Sequence, residues 1–162
     1  MIQININQEQ RDKAKLMAND LGIIRNSIMQ GKGNIAGFLG EIVIADYFGF
    51  NHDNSYDYDL VANDGSTIDV KTKQTNYQPL SYYDCSIAAY NTKQYCDYYC
   101  FTRIHYDMNT LWFLGMIKKQ RYFEMARFLK KGQQDGDNGF IVRADCYNLS
   151  IEDIWNTMIN EL

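Results

Sequence analysis

Residues 57–73 read DYDLVANDGSTIDVKTK, and this stretch constrains the fold more than any other part of the chain. Two alternating runs flank Asn63-Asp64-Gly65, the chemistry of a hairpin turn. The pattern predicts strands over 57–62 and 66–73. A three-residue hairpin loop wants its last residue in the left-handed region, and Gly65 suits that position. Ala62 then faces Ser66, Asp59 falls opposite Asp69, and Asp57 falls opposite Lys71. Strand side chains alternate between faces. Asp57, Asp59, Asp69 and Lys71 therefore gather on one side with Val61, while Leu60, Ile68 and Val70 form core on the other. A two-residue loop at Asp64-Gly65 would instead put Asp59 and Asp69 on opposite faces.

Opposed like charges weaken a strand pair. Two carboxylates held across from each other invite a divalent cation, and an all-oxygen ligand set suits Mg²⁺ or Mn²⁺. The competing reading is a solvent-facing polar strand on which Lys71 screens the aspartates.

A glutamate upstream bears on that choice. In NIAGFLGEIVIA, residues 34–45, Glu41 is the only charged residue. Its neighbours three and four places away are Gly37, Phe38, Ile44 and Ala45, so the helix predicted from Ile35 to about Phe48 has no polar face for it. A buried carboxylate is costly unless it is paired, binds a metal or stays protonated. Gly37 and Gly40 would let another backbone pack close. The bland reading is a glutamate at the rim of the core.

The remaining pattern supplies a frame. Apolar residues Ala14, Met17, Ala18, Leu21, Ile24 and Ile28 recur at helical spacing over 8–29, and QGKGN (30–34) breaks that helix, with Asn34 a candidate N-cap. Strands are predicted over 98–106 and 110–117 around a turn at 107–109, and over 139–144. A basic helix is predicted over 118–131. A last helix starts at Ser150 with Asp153 in capping-box spacing. Residues 74–97 fit no single pattern. The order of elements predicts an α/β fold with a central mixed β-sheet flanked by helices. At 162 residues, and on a scale of about 150 residues per domain, residues 1–162 make a single domain with the 8–29 helix packed on it.

Glu41 on a helix, Asp59 on a strand and Asp69-Val70-Lys71 on the next strand resemble the PD-(D/E)XK superfamily, the restriction-endonuclease-like nucleases. The resemblance covers about residues 34–73 by motif. It implies an αβββαβ core, divalent-metal-dependent hydrolysis of phosphodiester bonds, and DNA as the usual substrate. Asp59 matches the first acid of the motif, Asp69 the second and Lys71 its lysine. Glu41 matches the helix acid of some branches. Tyr58 stands where the name-giving proline would be, which makes Asp57 a competitor for the first acid.

The implied catalytic residues are Glu41, Asp59, Asp69 and Lys71. The implied metal ligands are Glu41, Asp59, Asp69 and the Val70 carbonyl, around Mg²⁺ or Mn²⁺. Asp57 and Gln74 are auxiliary candidates. Lys73 and the basic residues Lys118, Lys119 and Arg121 are candidates for contacts to nucleic acid. The alternative is a non-catalytic nucleic-acid-binding or protein-interaction module that keeps this fold. A homodimer is among the assemblies that the resemblance allows.

Composition limits other classes. The net charge of −4 argues against coating nucleic acid through overall charge but permits a local basic patch. No run approaches the ~18 apolar residues of a membrane span. The polar start MIQININQEQ does not read as a signal peptide. An intracellular protein is expected, and the compactness fits a phage protein in a bacterial host. The four cysteines, Cys85, Cys96, Cys100 and Cys146, are then reduced thiols, too irregularly spaced for a zinc module. His52 and His105 are too far apart in sequence for a paired-histidine nuclease and are read as structural.

Overall fold

The computed structural model describes residues 1–21, 34–53, 55–135, 139 and 141–161. It is a mixed α/β fold. Strand β1 (Ile2–Asn5) leads into helix α1 (Gln8–Leu21), and helix α2 (Asn34–Phe48) is followed by strands β2 (Asn51–His52), β3 (Leu60–Val61) and β4 (Thr67–Thr75). Strands β5 (Asp84–Ala88), β6 (Tyr98–His105) and β7 (Thr110–Lys118) come next, then helix α3 (Lys119–Met125), strands β8 (Arg127–Leu129) and β9 (Cys146–Ser150), and helix α4 (Ile151–Glu161). Among the described residues, no helix is long and apolar enough to cross a membrane.

The main sheet has the order β1-β7-β6-β4-β3-β2, and a smaller sheet has the order β5-β9-β8. Among the described residues only the β4–β6 pairing is parallel. Its parallel register matches Asp69 with Tyr99, Lys71 with Phe101 and Lys73 with Arg103.

Both faces of the main sheet are covered. Ile68, Val70, Cys100 and Ile104 pack under α2 against Leu39, Ile42 and Val43. Tyr99, Phe101, Trp112 and Leu114 pack on the other side against Tyr122 of α3, Ile154 of α4 and the small sheet. This burial on two faces explains why β6 and β7 read as nearly continuous apolar runs. Helix α2 approaches very closely at Gly40, where a Cβ would lie 2.0 Å from Thr72 Oγ1. Gly37 has no such contact.

The hairpin register is the one that a three-residue loop requires. Leu60 pairs with Ile68 and Val61 with Thr67. The Ala62 N–H donates to the Ser66 carbonyl and Gly65 has φ 87°. Leu60, Ile68 and Val70 are core. The first strand is shorter than 57–62, because residues 55–58 curl around the Ser55 hydroxyl.

Other boundaries differ. The predicted helix over 118–131 ends at Met125, and Arg127–Leu129 is strand β8 paired to β9. Arg127 is drawn there by Asp84 and Asp135, at 3.1 and 3.4 Å. The strand predicted at 139–144 is reduced among the described residues to a single bridge, Gln134 to Ile141. The strand of this region is Cys146–Ser150 instead. The end of the 8–29 helix and the 30–33 break lie outside the described residues, as does the Asn34 side chain. The Ser150 cap is present: its hydroxyl accepts from the Asp153 N–H at 3.1 Å and donates to the Asp153 carboxylate at 2.7 Å.

Candidate active site

Three elements bring carboxylates together. Helix α2 carries Glu41, the residue before β3 is Asp59, and β4 carries Asp69. The ladder between β3 and β4 ends at Leu60–Ile68, and Asp59 stands just beyond it. Its backbone N–H still donates to the Ile68 carbonyl at 2.9 Å. Its side chain then turns back, and Asp59 Oδ2 accepts the Val70 N–H at 2.7 Å. A side chain thus takes the place of a missing ladder partner.

The Asp59 carboxyl is pushed up to about 8. Burial is the largest cause, followed by the negative charges of Glu41 and Asp69, while the Val70 N–H and Lys71 oppose the shift. Its titration is tied to these neighbours. Glu41 and Asp69 thus act on Asp59 from two other elements of the fold.

Each remaining acid has its own contact. The Glu41 side chain, 12% exposed, lies 3.1 Å from His52 Nε2 through Oε2. Asp69 is 3% exposed, and its Oδ2 lies 2.6 Å from Lys71 Nζ. That approach is a charge contact without hydrogen-bond alignment, because the buried Oδ2 accepts no hydrogen bond. Lys71 Nζ donates to Gln94 Oε1 at 3.3 Å, and Gln94 Nε2 donates to the Tyr56 carbonyl at 3.2 Å. Lys119 fixes this loop from below by donating to the carbonyls of Thr92, at 2.9 Å, and Gln94.

The other sequence candidates fall in different places. Asp57 leaves the strand and accepts the Tyr95 N–H at 3.1 Å, so it shapes a loop beside the acids. Gln74 is on β4 with Val70 and Thr72, on the face opposite Lys71. The Val70 side chain is core. Lys73 shares the face of Asp69 and Lys71 but borders a separate cavity with Arg103. Lys118 is exposed, the Lys119 ammonium is turned onto the loop carbonyls, and Arg121 pairs with Glu124 at 3.3 Å.

Sequence reasoning missed His52 and Gln94. His52 comes next to the site because it pairs with Leu60 in the sheet, on a strand of only two residues that leaves no alternating pattern to read. Gln94 lies in the stretch that fitted no pattern. Burial pushes the Cys85 and Cys96 thiols up to about 12 and raises those of Cys100 and Cys146 as well, which disfavours the thiolate at each.

A hard divalent cation suits the chemistry of this donor set. Its ligands would be carboxylate oxygens, one of them the buried Asp69 Oδ2 that accepts no hydrogen bond. Among the described residues, however, no three His, Cys, Asp or Glu side chains already gather their ligating atoms around one point. The chain matches no protein-family model and no curated protein.

Proposed function

We propose that the chain is a metal-dependent nuclease of the PD-(D/E)XK type that hydrolyses phosphodiester bonds in DNA. One observation carries this reading: Asp59 is pushed up to about 8 by burial and by the charges of Glu41 and Asp69, with Lys71 against Asp69. Such a cluster lowers stability, and a cation site would explain its presence.

Asp59, Asp69 and Glu41 would hold Mg²⁺ or Mn²⁺, which, when bound, polarises a phosphate oxygen and acidifies water. Asp59 takes up its negative charge when positive charge stands beside it. Lys71, anchored by Gln94, presents an ammonium that orients water and offsets charge growing on the phosphoryl oxygens. His52 holds Glu41 in place.

The second reading is a non-catalytic nucleic-acid-binding module with the same fold. It is favoured by the local contacts of each acid and by the lack of a ready three-ligand cluster among the described residues. One experiment separates the two: cleavage of single-stranded, duplex, flap and four-way-junction DNA with Mg²⁺ or with EDTA. Cleavage that needs Mg²⁺ and vanishes in Lys71→Ala supports the nuclease. Cleavage that persists in EDTA or in Lys71→Ala would sink it.

A further inference from the structure

Between the main sheet and the small sheet lies a cavity of about 480 Å³. Lys73 of β4, Arg103 of β6 and Arg143 line it, with Tyr83, Asp84 and Asn148. The chain as a whole is acidic, yet three cations meet here. Among the described residues none of the three has a carboxylate partner.

The cavity is built rather than incidental. Arg103 is 8% exposed, an unusual state for a guanidinium without an ion pair. It is held in place by donating to the Asp84 carbonyl at 3.1 Å and by lying 5.2 Å from the centre of the Tyr83 ring. Asp84, the acid that lines the cavity among the described residues, is already bridged to Arg127 at 3.1 Å. The surrounding protein and the positive charge of Arg103 make the Lys73 ammonium easier to deprotonate, Asp84 opposes them and Arg143 adds to them, although the residue itself is exposed. Like charges held together in this way favour an anion between them.

Its position says which anion. Asp69, Lys71 and Lys73 alternate along one face of β4. Lys73 is therefore about 6.8 Å beyond Lys71 along the strand, the rise of two residues. That step is close to the spacing of neighbouring phosphates along one nucleic-acid strand. A guanidinium and an ammonium are the groups that hold phosphate oxygens.

We propose that the cavity of Lys73, Arg103 and Arg143 binds a backbone phosphate of the substrate strand, next to the phosphate that Lys71 faces. This inference rests on the nuclease reading for its choice of ligand, and its test contains no catalytic step. A short fluorescent oligothymidylate is titrated in EDTA, over a series of salt concentrations, with the parent, Lys73→Gln, Arg143→Gln and the double variant. Lys73 and Arg143 are exposed, so the folds should persist, as thermal melts verify. Lys13→Gln on the exposed face of α1 is the control.

Each cavity variant should bind about 5-fold more weakly, and the slope of log affinity against log salt should flatten by about 0.7 per lost contact. The control should match the parent. Unchanged affinity and slope in the double variant overturn the cavity proposal, whatever the cleavage assay gives. Weakened binding by the cavity variants of a chain that cleaves no DNA would keep the phosphate site and remove only the nuclease reading.

Discussion

Asp59 Oδ2 accepts the backbone N–H of Val70 at 2.7 Å, and this bond explains how a strand end becomes an acid cluster. It satisfies an amide where the ladder stops, and it fixes the carboxylate within reach of the charges on Glu41 and Asp69. Structure and electrostatics oppose each other at one side chain: the amide favours the anion, while burial and two acids disfavour it.

Asp59→Asn should therefore stabilise the protein in EDTA. The folded carboxyl is raised to about 8 from the ordinary aspartate value of 3.8. Between about pH 4 and 8, the folded state holds a proton that the unfolded chain has released, so stability falls as pH rises through that window. The asparagine side chain keeps a carbonyl for Val70 and does not titrate there. Its gain should grow from nearly nothing at pH 4 to at least about 1 kcal/mol at pH 8. Denaturant melts across this range measure it, and a loss of stability at pH 8 would mean that Asp59 is a well-compensated structural anion.

Gly40→Ala tests the contact between α2 and β4 that brings Glu41 over the strand. The added Cβ would stand 2.0 Å from Thr72 Oγ1, which itself lies 2.9 Å from Thr102 Oγ1. The expected cost is about 1–3 kcal/mol. Thr72→Ala removes the clashing hydroxyl, so the double variant should lose less than the sum of the singles, as a double-mutant cycle of melts will read.

Gln94→Leu should leave the fold nearly intact, because its two hydrogen bonds lie near the surface and the net loss is about 1 kcal/mol each. It should lower kcat about 10-fold with little change in KM, the mark of a residue that positions Lys71. A change confined to KM would assign Gln94 to substrate binding instead.

The acids and the turn were legible in the sequence because their signals are local. Gly65 marks the turn, although the parity of the hairpin was left between two loop lengths until the pairing of Leu60 with Ile68 decided it, and Glu41 stands alone in an apolar helix. The small sheet was not legible, since its strands are short and its pairs join residues far apart, such as Ile87 with Tyr147. Arg127 read as one more cation of a basic helix until Asp84 and Asp135 claimed it. Arg103 was hidden within the apolar run of β6, and the parallel register sets it beside Lys73.

Lys71→Met separates metal binding from catalysis. In the parent, Lys71 Nζ is 2.6 Å from Asp69 Oδ2, and the Asp69 carboxylate is buried. Methionine keeps the length and apolar stem of the side chain but removes the charge, leaving a buried anion without its cation. Breaking such a pair costs about 3–5 kcal/mol when it is fully buried, and the cost should be smaller here because the Lys71 side chain is 24% exposed. The variant should therefore melt at a lower temperature than the parent in EDTA. If Asp69 ligates a divalent cation, Mg²⁺ replaces the missing positive charge. Binding to the folded state alone stabilises by about 2.7 kcal/mol at a hundredfold excess over Kd, and the variant should gain more from a given Mg²⁺ concentration than the parent does. On the proposed nuclease reading, DNA cleavage should stay at least about 100-fold below the parent at every Mg²⁺ concentration, since that reading gives Lys71 the orienting of water. Thermal melts over a Mg²⁺ series, beside the cleavage assay, read both effects. A variant that Mg²⁺ does not stabilise would mean that Asp69 and Lys71 are a structural ion pair, and the metal site would lose its central ligand.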